Sequence, residues 1–530
     1  MKILISDQLS DRALDVFKRY PQLQVVFDPS LGKDVARLKV AIADVDAIAI
    51  RSATKLTADI LDCAKNLKVI GRAGIGVDNV DIPHASRRGI IVMNTPFGNT
   101  ITTAEHAIAM MCALTRDIPQ ATASIKSGKW EKNRFMGSEL YNKILGVVGL
   151  GNIGKIVADR ALGLKMRVVA YDPFLTGDKA TELGVEKVEL DDLFKRADYI
   201  TFHTPLNDKT RHLVNRQAFE KMKRGIYIVN CARGGIVHEA DLAWAIENKI
   251  VAGAALDVFE KEPVDPNNPL LKLDQVICTP HLGASTEEAQ ENVALDVSEQ
   301  IADFLVNGTV ANALNAASAS KEVLQQLSSV IPLCEKIGLL HGQLCETPPR
   351  KIRINYYGDV TRYPTGVLTT EVLKGFLRPM LSDTQVNVVN APYLARERGV
   401  EVEESRINAH SAYATLVEVV VEYGNSSFII SGTVFGKDRP RIVRFNNIYP
   451  ELKPFGVVLI VQNRDKPGVV GRIGSYLGQK NVNISHIQLG LDEASGLATA
   501  FYNIDSDVSE DVLKGLQALE GIVTVRKVIL

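Results

Sequence analysis

"GVVGLGNIG" spans residues 146–154, and its reading decides how the first half of the chain is understood. Gly149, Gly151 and Gly154 stand in GxGxxG spacing, after an apolar run and before a helix-forming stretch, "NIGKIVADRAL" (152–162). On a strand–turn–helix each glycine has a separate task. Gly149 permits the tight turn, Gly151 lets a diphosphate approach the backbone, and Gly154 lets helix and strand close together. The first N–H groups of the helix and its dipole then hold the diphosphate. The next apolar run, "RVVAYDP" (167–173), ends at Asp172. That is about 20 residues on, where a carboxylate accepts from ribose hydroxyls. Pro173 and Phe174 follow it rather than an arginine, which points to NAD and not NADP.

Working outward, the same kind of run recurs. "ILGVVGLG" (144–151), "RVVAYDP", "YITFHTP" (199–205), "IYIVNCARG" (226–234), "GAALDVF" (253–259) and "VICTPHLG" (276–283) form one set. "MKILISD" (1–7), "LQVVFDP" (23–29), "DAIAIRS" (46–52), "LKVIGRAG" (67–74) and "IIVMNTP" (90–96) form another. Near-continuous apolar strands separated by helices predict parallel sheets covered on both faces. Two sets predict two α/β domains, a flavodoxin-like one and an inserted Rossmann one. The stretch 102–130 reads as a long helical bridge between them. The expected boundaries are 1–98 plus 287–316 for the first domain and 99–286 for the second. Small residues in "NAASASKE" (315–322) mark a linker. Residues 317–452 mix helix and strand in an α+β unit. Residues 453–530 read βαββαβ, the ferredoxin-like order.

The bulk numbers exclude several classes. Lys plus Arg is 61 against 62 Asp plus Glu, a net charge of −1, so no global field attracts nucleic acid or an anionic membrane. An anionic ligand must be held by local arginines. Six cysteines include no CxxC pair, and their spacings fit no zinc site, so no metal centre is expected. Thiols in a chain this long, with no signal peptide or membrane span legible, suggest the reducing cytoplasm.

Three residues fall where strands of the second set end: Arg233, Glu262 and His281. Ligands of open α/β sheets bind at that edge, so the three can converge. Alone, each has a plainer reading: a carbonyl cap, a solvated charge, a loop histidine. Together they make a reaction set. Oxidising a secondary alcohol with NAD needs a base for the hydroxyl proton, and histidine suits both directions. A carboxylate on its other nitrogen fixes the tautomer and steadies the imidazolium. An arginine holds a carboxylate in a bidentate fork.

"GLGNIG", "NCARGGIVHEADL" (230–242), "AALDVFEKEP" (254–263) and "TPHLGAST" (279–286) resemble the D-2-hydroxyacid dehydrogenase family. "GRAGIGVDNVD" (71–81), "MNTPFGNT" (93–100) and "GKWEKNRFMGSEL" (128–140) are closer still to its members that oxidise 3-phospho-D-glycerate. The resemblance implies Arg233 as substrate anchor, Glu262 as partner and His281 as acid/base. It implies substrate contacts from Arg51, the Gly74–Ile75 backbone and Asn99. Around NAD it implies Asn152, Ile153, Asp172, Thr204, Cys231, Asp257 and Gly283. The region of Trp130 and Arg134 would meet a neighbouring subunit of a homo-oligomer. Arg51, Arg72, Lys132 and Arg134 are the candidate cations for a phosphate, and for Lys132 and Arg134 a solvated surface is the rival reading. Glyoxylate or hydroxypyruvate reduction, or a nucleotide-sensing scaffold without catalysis, are the competing functions.

The tail "VQNRDKPGVVGRIGSYLGQKNVNISHIQ" (461–488) resembles an ACT domain, which binds small amino acids. This implies an effector, L-serine, held by Asn463 and Asp465 on the loop after the first strand and by Asn483. A helix cap is the alternative for Asn463 and Asp465. Residues 317–452 resemble the intervening domain of the family's long form. Arg350, Lys351, Arg353, Lys437, Arg439, Arg441 and Arg444 there fit either an anion site or alternating charges on an exposed strand.

Overall fold

The computed structural model describes residues 1–381, 385–408, 412–424, 426–493 and 495–530. Strands β1 (Lys2–Ile5), β2 (Gln24–Phe27), β3 (Ala47–Ile50), β4 (Val69–Arg72) and β5 (Ile91–Asn94) form a parallel sheet. Its order is β2-β1-β3-β4-β5, the flavodoxin-like one. Helix Glu287–Asn307 returns to this sheet, placing Val293, Val297 and Ile301 in one core with Ile3 and Val69. Gly71 makes the approach possible, because a Cβ there would lie 2.6 Å from Val297 and Ile301. On the outside, Arg12 pairs with Glu291 and Arg19 with Glu299, tying this helix to helix Asp11–Lys18.

The second sheet holds β6 (Ile144–Val148), β7 (Arg167–Tyr171), β8 (Glu186–Lys187), β9 (Tyr199–Phe202), β10 (Ile226–Asn230), β11 (Val251–Leu256) and β12 (Val276–Cys278). The order is β12-β11-β10-β9-β6-β7-β8, all parallel. Strand order reverses between β6 and β9, so the loops after them open a crevice at the carboxyl edge. Strand β8 has no apolar signal, being only Glu186 and Lys187. The expected single bridge helix is two. Thr100–Thr115 ends before Asp117, whose φ of 50° is left-handed, and Ile118–Lys126 starts afresh with Pro119 in its first turn.

Strands β13 (Lys351–Gly358), β14 (Glu401–Ile407), β15 (Thr415–Tyr423), β16 (Ser426–Phe435) and β17 (Arg439–Phe445) form a third sheet, ordered β14-β13-β15-β16-β17. Helices Val330–Leu344 and Gly366–Leu377 cross in close contact. Gly338 and Gly375 allow it: a Cβ would lie 2.0 Å from the Val372 carbonyl in one case and 2.1 Å from that of Glu335 in the other. Strands β18 (Val457–Arg464), β19 (Ile484–Asp492), β20 (Leu497–Ile504) and β21 (Ile522–Ile529) form the last sheet, β19-β20-β18-β21. That antiparallel order is the ferredoxin-like one. One face packs Leu459, Val461 and Tyr502 with Ile473 and Leu516 of its own helices. The other puts Val458, Ile460 and Phe501 into one core with Leu333 and Ile337. The two tail units therefore share apolar interior. Asn387 also donates to the Gly89 carbonyl (3.0 Å), and Val389 is buried in the first domain's core, so the tail is anchored there.

Candidate active site

The loop after β12 turns sharply at His281, whose φ is 56°. Asp257 at the end of β11 makes that turn hold. Its buried carboxylate, 1% exposed, accepts from Thr279 Oγ1 (2.6 Å) and from the amides of Leu282 (2.7 Å) and Gly283 (2.9 Å). Burial opposes ionisation of Asp257, but hydrogen bonding from His106, Thr279 and Leu282 outweighs it and leaves the carboxyl below its ordinary value. In this position Asp257 shapes the loop that presents His281. His106 had no signal in the sequence, since it meets Asp257 only through the fold, whereas Thr279 opens the motif "TPHLGAST".

His281 Nδ1 lies 2.7 Å from Glu262 Oε2, while Glu262 Oε1 accepts from the Phe259 amide at 3.1 Å. Both oxygens are thereby fixed. Burial would raise the Glu262 carboxyl, but the His281 hydrogen bond and charge and the Phe259 amide hold it below the usual carboxylate range. With Nδ1 as donor, Nε2 of His281 is left with its lone pair, on a ring that is 48% exposed. Buried His203 is the contrast: desolvation pushes it down to about 3, so it stays neutral and structural.

Arg233, after β10, is held from two sides. Its Nε donates to Asp78 Oδ2 (2.9 Å) and its Nη1 to the Ala232 carbonyl (2.7 Å). Gly76 leaves the room, since a Cβ there would lie 1.7 Å from Arg233 Nη2. Asp78 and Gly76 are functional neighbours that the sequence reading missed. Their only signal was the glycine-rich "GRAGIGVD" around them. Arg72 lies beside them, largely buried. Desolvation first, then repulsion from Arg233 and Arg51, pushes it down to about 10. Among the described residues its Nε has no partner. Three guanidinium groups thus share one neighbourhood, with Asp78 and Asp7 as the acidic influences on Arg72.

The structure places the other expected residues as follows. The Gly74 amide is engaged by Thr95 Oγ1 (2.6 Å), and the Ile75 carbonyl by Asn94 (2.7 Å). Gly74, at φ 129°, instead makes space for Arg72 Nη1, 1.8 Å from where a Cβ would stand. Arg51 donates its amide to Asp7 (2.5 Å). Asn99 precedes helix Thr100–Thr115, and its buried Oδ1 has no partner among the described residues. Arg134 pairs with Asp274 (3.2 Å) and Glu131 on a surface where Trp130 is 85% exposed. Lys132 is exposed on that same segment.

The glycine loop fits a dinucleotide. Gly149 has φ 91°, and a Cβ on Gly154 would lie 2.0 Å from the Gly149 carbonyl. Among the described residues a Cβ on Gly151 would meet nothing within 4 Å, so it would stand in the open cradle where a diphosphate belongs. Helix Asn152–Gly163 starts there with no side-chain cap among the described residues, leaving the amides of Asn152, Ile153 and Gly154 to a ligand. Asp172 accepts from the Leu150 amide (2.8 Å) and the Phe174 amide (2.8 Å), which links the second strand to the loop. Each oxygen keeps a lone pair for a ribose hydroxyl. Thr204 Oγ1 is buried beside Gly149 without a partner among the described residues. Burial raises the Cys231 thiol, so it stays a neutral group.

The tail residues separate. Asn463 is still inside β18, 2% exposed, paired with Ala498. It is not on a loop. Asp465 is exposed just beyond. Neither caps helix Val469–Gln479, which starts after Gly468 at φ 87° with Pro467 outside it. Asn483 binds Asp505, beyond the end of β20 where Ile484 pairs with Ile504. Asn463 and Asn483 therefore stand at opposite ends of β20, roughly 20 Å apart at ~3.3 Å per residue. The antiparallel order forces this. In the intervening unit, Lys351 and Arg353 pair with Glu403, Arg353 with Glu422, and Arg444 with Glu418. Cross-strand charge alternation accounts for these cations.

The chain's fold and site define an NAD-binding D-isomer-specific 2-hydroxyacid dehydrogenase, and the family model of that NAD-binding domain matches residues 108–283. The D-3-phosphoglycerate dehydrogenase intervening domain matches residues 326–446, and the ACT domain 457–521. Relatives of full length agree. The D-3-phosphoglycerate dehydrogenase of Archaeoglobus fulgidus is 42% identical over 99% of both chains, and that of Bacillus subtilis 40% over 99% of both. This chain belongs to the D-3-phosphoglycerate dehydrogenase family. Among solved structures, D-lactate dehydrogenase from Aquifex aeolicus, complexed with NAD and lactic acid, is 26% identical. It covers 60% of this chain and 100% of its own, with a TM-score of 0.54. No helix among the described residues is long and apolar enough to cross a membrane.

Proposed function

We propose that the chain oxidises 3-phospho-D-glycerate to 3-phosphohydroxypyruvate with NAD, opening L-serine synthesis. One observation carries the reading: the His281–Glu262 pair and a cluster of three guanidinium groups, Arg51, Arg72 and Arg233. A cluster with surplus positive charge suits a substrate with two anionic groups. Arg233 takes the carboxylate in a fork, and Arg51 and Arg72 take the phosphate. Asn99 Oδ1 and the Gly74–Ile75 segment border the substrate. His281 Nε2 accepts the hydroxyl proton, and Glu262 steadies the imidazolium that results. When bound against Gly151, with Asp172 at its ribose and Asp257 and Gly283 near its nicotinamide, NAD supplies the hydride acceptor.

The domain division supporting this is 1–98 plus 287–316 for substrate, 99–286 for NAD, 317–452 intervening, and 453–530 ACT. Arg134 and Trp130 serve a partner's cleft in a homo-oligomer. Asn463 and Asp465 of one chain and Asn483 of another form the L-serine site, because one chain alone holds them at opposite sheet ends. Six free cysteines fit the cytoplasm. The test is NAD reduction with 3-phosphoglycerate, glycerate and lactate, with and without L-serine. Turnover that prefers an unphosphorylated acid would overturn the substrate. No turnover would overturn the enzyme.

A further inference from the structure

Three loops bring His212, His238 and Glu260 together, and one ligand atom from each lies within 4.8 Å of the others. We propose that these residues bind a divalent transition-metal ion of the zinc class. His212 Nε2 is 3.6 Å from Glu260 Oε1, too long for a good hydrogen bond. It is close to the ~3.4 Å that separates neighbouring ligands on a tetrahedral ion with bonds of about 2.0–2.1 Å.

The surrounding groups orient the donors. His238 Nδ1 is 2.7 Å from Asp241 Oδ2, which also accepts from the Arg216 amide at 3.0 Å. That leaves the Nε2 lone pair of His238 for a metal, the carboxylate–histidine support common at such sites. Glu260 Oε1 accepts from the Glu239 amide (3.0 Å), which fixes its rotamer. His212 is held in the left-handed region at φ 51°, and its amide donates to the Gly235 carbonyl (2.7 Å). The two imidazole rings stand 4.6 Å apart between centroids. Two protonated rings so close would repel, whereas two neutral rings sharing one cation attract it.

Imidazole and carboxylate donors select zinc-class ions over magnesium or calcium. An open pocket of about 400 Å³, lined by His238, Glu260, Asp265 and Asn268, gives the ion an entry path, with Lys261 as the opposing charge. A bound ion would fasten the loops after β9, β10 and β11. Those loops carry Thr204, Arg233 and Glu262. The role is a staple across these three loops.

Calorimetric titration of Zn²⁺ into chelator-stripped protein tests this, with Co²⁺ as a spectroscopic probe. The expected result is one high-affinity ion per chain and a Co²⁺ spectrum without a thiolate band. His212→Asn keeps the left-handed backbone comfortable, since asparagine tolerates that region. It and His238→Gln should each abolish binding, and Asp241→Asn should weaken it about tenfold. Thermal melting should show Zn²⁺ raising the midpoint of the wild type but not of His212→Asn. Affinity unchanged in both histidine variants, a thiolate band, or no binding would each overturn the site, whatever the dehydrogenase assay shows.

Discussion

Glu262 Oε2 sits 2.7 Å from His281 Nδ1, and the two residues come from loops after different strands of one sheet. Glu262→Gln keeps the shape and removes the charge that steadies an imidazolium. It should lower kcat by about 10²-fold or more with a smaller change in KM. Steady-state kinetics of both parameters checks this. Because Glu262 is held below its ordinary value of 4.5, activity should not fall through its protonation until the pH is below that.

Arg72 separates a phosphorylated substrate from a plain hydroxy acid. Arg72→Ala should raise KM for 3-phosphoglycerate about tenfold or more, the worth of one charge-assisted hydrogen bond of roughly 1.5–3 kcal/mol. Its effect on glycerate should be much smaller. Equal losses on the two substrates would remove Arg72 from the phosphate.

The loop glycines part binding from stability. Gly151→Ala places its Cβ in open space, so the melting temperature should stay near wild type while NAD affinity drops. Gly154→Ala drives a Cβ against the Gly149 carbonyl, so the fold itself should weaken. Thermal melts beside a fluorescence titration of the cofactor read both.

Asp257 predicts an acid limb. Its folded value lies below 3.8, so its stabilisation is full above that pH and is lost as pH falls through the lower folded value. Asp257→Asn should cost about 2 kcal/mol or more at neutral pH, as the Thr279, Leu282 and Gly283 donors lose a charged acceptor. The difference from wild type should shrink in acid. Denaturant melts at a series of pH values would show it, and a pH-independent difference would count against it.

The strands of the two parallel sheets are legible as local apolar runs, except β8, where Glu186 and Lys187 carry no such signal. Strands β13–β17 mix charged and apolar residues and are not legible one by one. The bridge reads as one helix only if Pro119 is passed over: the break falls at left-handed Asp117, and Pro119 sits in the first turn of the second helix. Asn463 was placed on a loop because its apolar strand runs into polar Gln462 and Arg464, and only pairing with β20 shows where β18 ends.

By itself the sequence determined the two parallel α/β units, the dinucleotide loop and the ferredoxin-like tail. Periodicity, glycine spacing and turn residues are properties of neighbouring positions. Tertiary structure alone decided that Asp78 grips Arg233, that Asp257 builds the His281 turn, and that Asn463 and Asn483 stand apart. It also brought His212, His238 and Glu260 together. Those relationships join residues far apart in the chain, and they exist only where sheet order and packing set the loops side by side.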